Sequence, residues 1–318
     1  MPQHKLISVL IPTYNAGDYL REAVLSIIDQ TYRYLEIIII DDGSTDNCID
    51  TISDISDSRI RIIRQENKGK AAALNRAWSE LKGDFFIIQD ADDKSYSLRI
   101  EAQLKCMEWN SRLAAVYVGH DLVVGGKQFA PIFEEINEKE CKDLIDKFKM
   151  PAHDATGMYR VSLLGNMRFD EVLRIGQGVD FVLRVGEKYP IKRLGECLYS
   201  YRINYDSTIR QDIRKTVDSR NIVRNNACLR RGIIDLKTVE KLVCKKKRFL
   251  KHREADVHIV SHCMCSVVDL KGSGDIFNAL FVGWQCLMLH PLDLYYCKPL
   301  VYALMPLKLI DLYRKNKL

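Results

Sequence analysis

The chain predicts an α/β fold: a mostly parallel sheet flanked by helices, followed by a helical C-terminal region. Three observations carry that expectation. Short apolar runs rich in β-branched or aromatic residues, such as 35–40 and 85–88, are continuous rather than alternating, as in strands buried on both faces. Stretches with helical apolar spacing separate them. Turn residues and acids follow the runs, at Pro12-Thr13-Tyr14-Asn15, Asp41-Asp42-Gly43-Ser44 and Asp90-Ala91-Asp92-Asp93. Open sheets bind ligands beyond the C-terminal ends of their strands, so these loops are expected to meet on one edge.

The elements follow in order. Residues 6–11 read as a strand, 18–30 as a helix, 35–40 as a strand and 46–55 as a helix, with Ser44 or Thr45 as its cap. A short strand at 60–64, a helix at 70–81 and a strand at 85–88 come next, then a helix over 98–109 and a strand at 114–118. After Gly125-Gly126 the pattern is less regular, with antiparallel-looking pieces at 157–161 and 198–203. From Asp206 onward the chain reads as helical, its first long helix studded with Arg210, Arg214, Lys215, Arg220, Arg224, Arg230 and Arg231. A boundary near Ser207 divides 1–206 from 207–318.

At 318 residues and 47% hydrophobic content the chain buries a full core. The net charge of +6 is modest but uneven: Lys241, Lys245, Lys246, Lys247, Arg248, Lys251 and Arg253 form a run without an acid. Such a run suits a solvated face or an anionic lipid surface. It lacks the interleaved aromatics that would favour nucleic acid, so no nucleic-acid partner is expected. Ten cysteines without a repeating spacing, and no secretory pattern at the N-terminus, point to a reducing, cytoplasmic location. His262-Cys263-Met264-Cys265 lacks a second ligand pair at zinc spacing, which favours buried helix thiols. Residues 276–310 are apolar but interrupted by Pro291, Asp293, Lys298, Pro299 and Pro306, short of the ~20 residues that span a bilayer. They read either as helices packed on the main domain or as an interfacial surface built on Trp284, Tyr295, Tyr296 and Tyr302, peripheral on the cytoplasmic face of a membrane.

The chemistry concentrates at Asp90, Asp92 and Asp93. Carboxylates this close repel, so some are protonated or a hard divalent cation bridges them, and such a cation would bring phosphates. The alternative is a solvated turn, with Asp93 capping a helix that begins near Tyr96. The absence of GxGxxG after the first strand, and of GxxxxGK[ST] anywhere, argues against dinucleotide and P-loop sites.

Four ordered segments, SVLIPTYN at 8–15, DDGSTD at 41–46, ENKGKAAALN at 66–75 and QDADD at 89–93, together closely resemble the nucleotide-sugar domain of family 2 glycosyltransferases, which have the GT-A fold. The resemblance covers about the first 110 residues strongly, and continues more loosely to about Arg210 through RIGQGVDFVLRVGEKYP and LYSYRIN. It implies a GT-A domain over 1–206, with 1–110 binding the nucleotide-sugar and 111–206 on the acceptor side. By that resemblance Asp42 hydrogen-bonds the base, usually uracil, beside the loop of Pro12, Thr13, Tyr14 and Asn15, while Asp46 serves structure. Lys70 stands near the nucleotide, Asn67 and Gly69 form a tight approach, and Arg202 nears the diphosphate. Asp90 and Asp92 hold the ribose and a Mn²⁺ or Mg²⁺ ion, Asp93 sharing the metal role; the ion neutralises the leaving diphosphate.

Inverting transfer also needs a general base. The family takes it from an acidic pair in a segment like GEDxDxxLR, and here Gln177 and Gly178 stand in those places. Asp180 is the first candidate and Asp154 the second; Asp180 also suits a structural role, paired with Arg184 one turn on. The resemblance thus implies a metal-dependent inverting glycosyltransferase, moving a sugar from a UDP-linked donor to a glycan or lipid-linked acceptor in surface polysaccharide synthesis. Two other readings stand beside it. One is a GT-A scaffold that binds nucleotide-sugar without turning it over, suggested by Gln177-Gly178. The other is a nucleotidyltransferase, for which the expected glycine-rich basic loop after the first strand is missing.

Overall fold

A computed structural model describes residues 4–124, 127–129, 134–203, 213–233, 276–289 and 291–306, with isolated helical positions at 260, 263–264, 267 and 271. The chain packs as two compact units. The first takes in Met1–His120, Phe133–Arg202 and Arg214–Lys246, and the second Asp121–Ile132, Ile203–Ile213 and Lys247–Leu318.

The sheet runs β3-β2-β1-β4-β8-β6-β9-β5, with β7 (Lys127–Phe129) pairing off this path to β6. Its first four strands are β3 (Ile60–Arg64), β2 (Leu35–Asp41), β1 (Ile7–Thr13) and β4 (Phe85–Ile88), all parallel. Leu10 pairs with both Ile38 and Ile88, so the loops after Thr13, Asp41 and Ile88 leave from one edge. The apolar residues of β1, β2 and β4 are buried because helices cover the sheet: α1 (Tyr19–Ile28), α2 (Lys70–Glu80) and α3 (Arg99–Trp109). In α2, Ala71, Ala72 and Ala73 let the helix lie close, and Trp78 packs on Phe86 with ring centroids 4.6 Å apart. Phe181 of α6 (Gln177–Lys188) extends this cluster and stacks on Phe169 at 4.1 Å.

Beyond β4 the sheet becomes antiparallel. β8 (Gly157–Arg160) pairs antiparallel with β4 and with β6 (Ala115–Val124). The strand expected at 114–118 is therefore longer and leaves the parallel half, a pairing its local sequence does not encode. β9 (Ile191–Ile203) starts seven residues before the expected 198–203 and pairs antiparallel with β5 (Lys94–Ser95). That two-residue strand replaces the helix start near Tyr96, and α3 begins at Arg99. The helix expected over 46–55 is a single 3-10 stretch, Cys48–Ile52, whose first amide donates to Asp46. Asn47, Asp50, Thr51 and Ser53 compete there with the backbone for hydrogen bonds, which shortens the element.

Helix α4 (Glu138–Asp146) opens with a capping box between Asn137 and Glu140, α5 (Val161–Leu164) follows β8, and α7 (Ile213–Arg230) is helical as expected. The boundary at Ser207 and the whole basic run 241–253 lie outside the described residues. In the second unit α8 (Ile276–Leu289) and α9 (Lys298–Leu304) are separated at Pro291, and the Lys271 ammonium caps α9 by donating to the Tyr302, Ala303 and Met305 carbonyls. Among the described residues no helix is long and apolar enough to cross a membrane, and the eight described cysteines are free.

Candidate active site

The site is assembled from the loops beyond β1, β2 and β4. The first two are tied together: Asn15 accepts from the Thr45 amide at 2.8 Å, its own amide donates to the Ser44 hydroxyl, and Asp46 accepts from the Gly17 amide at 2.7 Å. Thr13 is buried and its carbonyl accepts from the Asp42 amide, whereas Tyr14 is exposed at the loop's tip. Of the predicted loop residues, Thr13 and Asn15 thus shape the edge and Tyr14 faces outward; Pro12 lies within β1 itself.

Asp42 is buried and organises the segment before α2. Its Oδ1 accepts from Gln65 Nε2 at 2.7 Å and the Lys68 amide at 2.9 Å, and its Oδ2 from the Gly69 amide at 2.7 Å. A carboxylate has about four lone-pair sites, so one on Oδ2 stays open to a further donor. Gly69 holds φ at +92°, a backbone conformation that a side chain would strain, and this bend brings Lys70 round as the first residue of α2. Asn67 lies exposed on the same bend.

The Lys70 ammonium reaches Asp90 Oδ1 at 2.6 Å. Burial lowers its pKa, but Asp90, Asp154 and Asp92 around it outweigh burial and hold it above the ordinary lysine value. The segment 65–70 therefore joins the two acidic loops: Asp42 grips its backbone, and its lysine meets Asp90.

Asp93 behaves differently. Its Oδ2 accepts from the Tyr199 hydroxyl at 2.9 Å and its Oδ1 from the Arg202 amide at 2.7 Å, which fastens β9 to the acidic loop. Burial, then the neighbouring Asp92 and Asp90, push its carboxyl well above the usual carboxylate range. Like-charge repulsion in the acidic triplet is thus relieved twice, by a proton favoured on Asp93 and by the Lys70 ammonium on Asp90. Asp93, expected to share a metal, carries out a fastening role that the sequence reading missed; Tyr199, over a hundred residues away, gave no local signal.

Hard oxygens are the right donors for Mg²⁺ or Mn²⁺, and these ions are commonly held by one or two carboxylates together with substrate phosphates. The half-buried Asp92 fits that pattern beside Asp90, although no cluster of three or more metal-binding side chains occurs among the described residues. Arg202, expected near the diphosphate, directs its guanidinium to Glu22 at 2.9 Å and over the Tyr19 ring at 4.1 Å.

The two candidate bases lie in different surroundings. Asp180 is buried in α6, with Oδ2 taken by Arg184 at 2.7 Å and Oδ1 by Arg230 at 2.9 Å. Arg231 and Arg230 also meet Glu187, so this charge group clamps α7 onto α6. Asp154 opens the 3-10 turn Asp154–Thr156 before β8 and is 5% exposed. Burial pushes its carboxyl up, but His153, Lys70 and nearby backbone amides outweigh that and hold it below the usual range. The Tyr159 hydroxyl donates to its carbonyl at 2.8 Å, and Arg99, buried beneath, donates to the Ala155 carbonyl at 2.6 Å. Of the predicted residues, then, Asp90, Asp92 and Asp154 surround Lys70, and Asp42 grips the segment that leads into it, while Asp180 and the Arg202 side chain are paired with other charged groups.

The profile of the family described as glycosyl transferase family 2 matches residues 8–167. Among curated relatives, glycosyltransferase GlyG of Streptococcus pneumoniae serotype 4 is 49% identical over 92 residues, 28% of this chain and 31% of that protein. The putative teichuronic acid biosynthesis glycosyltransferase TuaG of Bacillus subtilis is 37% identical over 121 residues, 37% of this chain and 48% of that one. The chain thus spans less than half the length of either relative. Among solved structures, S. aureus TarS 1-349 in complex with UDP-GlcNAc has a TM-score of 0.61 at 18% identity, covering 75% of this chain and 69% of that one. The mannosyltransferase PcManGT of Pyrobaculum calidifontis in complex with GDP-Man and Mn²⁺ has a TM-score of 0.53 at 15% identity, covering 95% and 86%. At these identities the likeness is one of fold, and it is the GT-A fold expected from the four segments.

Proposed function

The chain belongs to glycosyl transferase family 2, and on that premise we propose that it moves one sugar from a UDP-linked donor to a glycan or lipid-linked acceptor in surface polysaccharide synthesis. The observation that carries the reading is the Lys70 ammonium set among Asp90, Asp92 and Asp154, next to a loop gripped by Asp42. The open lone pair of Asp42 suits the imide N–H of uracil, and Tyr14 offers an exposed ring on the loop after β1. Lys70 gives a fixed positive charge where a diphosphate would lie, and Asp90 and Asp92 supply oxygens for ribose and cation. A bound Mg²⁺ or Mn²⁺ on Asp92 would neutralise the charge that develops on the departing diphosphate. The UDP-GlcNAc in the TarS structure supports a UDP donor, the Mn²⁺ in the PcManGT structure supports a metal, and the TuaG description supports a polysaccharide setting.

A lipid-linked acceptor would be met at the cytoplasmic face of a membrane. The basic run 241–253 and the exposed Phe277, Trp284, Leu292 and Leu294 of the second unit supply charge and apolar surface for that contact.

The test is release of nucleoside diphosphate from UDP-, GDP- and CDP-sugars, offered with Mn²⁺ and a panel of p-nitrophenyl glycosides. UDP release that rises with an acceptor is expected. Donor binding without release would favour the non-catalytic scaffold, and pyrophosphate release from UTP and a sugar phosphate would favour a nucleotidyltransferase.

A further inference from the structure

We propose that Asp154 is the general base of the transfer and that Gly178 is glycine to make room for its carboxylate; the proposal rests on the transferase reading above.

Asp154 and Gly178 belong to different elements, the turn before β8 and the first turn of α6. A Cβ built on Gly178 would overlap the Asp154 carboxyl carbon and both its oxygens, all closer than the 3.0 Å that real Cβ atoms keep. The Asp154 carboxylate thus fills the space where a side chain at 178 would begin. It does so at the N-terminal turn of a twelve-residue helix, where the dipole favours the ionised form. A base must be charged before it accepts a proton, and the shift of Asp154 below the usual range meets that need.

Of the other acids, Asp93 is held by Tyr199 and the Arg202 amide, Asp90 by Lys70, Asp42 by three donors, and Asp180 by two guanidinium groups, while the reading above gives Asp92 to the cation. Asp154 instead faces an imidazole, with His153 Nδ1 at 3.5 Å, and lies within the field of Lys70. It is also fixed in place: Tyr159 holds its own carbonyl and Arg99 that of the next residue. In the reaction the acceptor hydroxyl gives its proton to an Asp154 oxygen while its oxygen bonds to the anomeric carbon. The bond from that carbon to the phosphate oxygen breaks, and its electron pair leaves with the nucleoside diphosphate.

The experiment compares wild type, Asp154→Asn, Gly178→Asp and the exchange variant Asp154→Gly/Gly178→Asp by Tm, UDP affinity and UDP release with the donor and acceptor found above. Asp154→Asn is expected to lower kcat about 10²–10⁴-fold, with donor KM changing less than about tenfold. Gly178→Asp alone is expected to lower Tm, because two carboxylates cannot share the space. In the exchange variant Tm is expected to recover, and kcat to rise at least about tenfold above Asp154→Asn. A kcat that stays within about threefold of wild type in Asp154→Asn overturns the base assignment and leaves the transferase reading intact. An unchanged Tm in Gly178→Asp overturns the role given to Gly178. Wild type that releases UDP from no donor overturns the transferase reading, and the base with it.

Discussion

At the scale of single residues, Asp42 and Lys70 carry more of the site than their neighbours. Asp42 holds three donors from 65–69, so Asp42→Ala is expected to cost about 3 kcal/mol in urea unfolding, because three polar groups lose a buried acceptor. UDP binding should fall with it. Lys70→Met leaves Asp90 beside Asp92 and Asp154 without a counter-charge, and an expected loss of about 2 kcal/mol reflects a pair that is mostly but not wholly buried. If Lys70→Met binds UDP as wild type does, the lysine is structural. The acids were legible in the sequence because they crowd into four residues after an apolar strand. Their division of labour was not. Asp93 is turned to fastening by Tyr199 and Arg202, and Asp154 lies against Gly178, through contacts that only the folded chain creates.

At the scale of elements, the parallel half was legible and the antiparallel half was not. Strands β1 to β4 and helices α1 to α3 are long enough, and periodic enough, for burial to write itself into the sequence. The two residues of β5 carry no period, and β9 alone makes them a strand. Core packing at α2 gives one test: Trp78→Ala removes a ring set among Phe86, Phe169 and Phe181, with an expected loss of about 3–5 kcal/mol in chemical denaturation. The loop pair gives another. Burial raises the Asp46 pKa, but hydrogen bonds from Gly17 and Cys48 together outweigh it and hold the carboxyl below its ordinary 3.8. A depressed acid contributes stability above its unfolded value and loses it as pH falls through the folded one. The difference in urea midpoint between wild type and Asp46→Ala is therefore expected to be full at about pH 6 and to shrink below about pH 4. Solvent exposure keeps it small, and a difference that grows on acidification would contradict the hydrogen-bond account.

At the scale of the whole molecule, the first unit carries the site and the second an exposed apolar surface that includes Phe277, Trp284, Leu292 and Leu294. If that surface and the basic run meet a membrane, the full chain should sediment with phosphatidylglycerol vesicles and be released by salt, and should leave phosphatidylcholine vesicles in the supernatant. Equal behaviour with both lipids would remove charge from the account. The central claim, that the acidic edge of the sheet binds a nucleotide diphosphate through a metal, is tested most directly by calorimetry. UDP, GDP and CDP are titrated with and without Mn²⁺ into wild type and Asp92→Ala. The account predicts Mn²⁺-dependent binding of UDP that is lost in Asp92→Ala. Binding of none of the three with Mn²⁺, or undiminished binding in the variant, would contradict it.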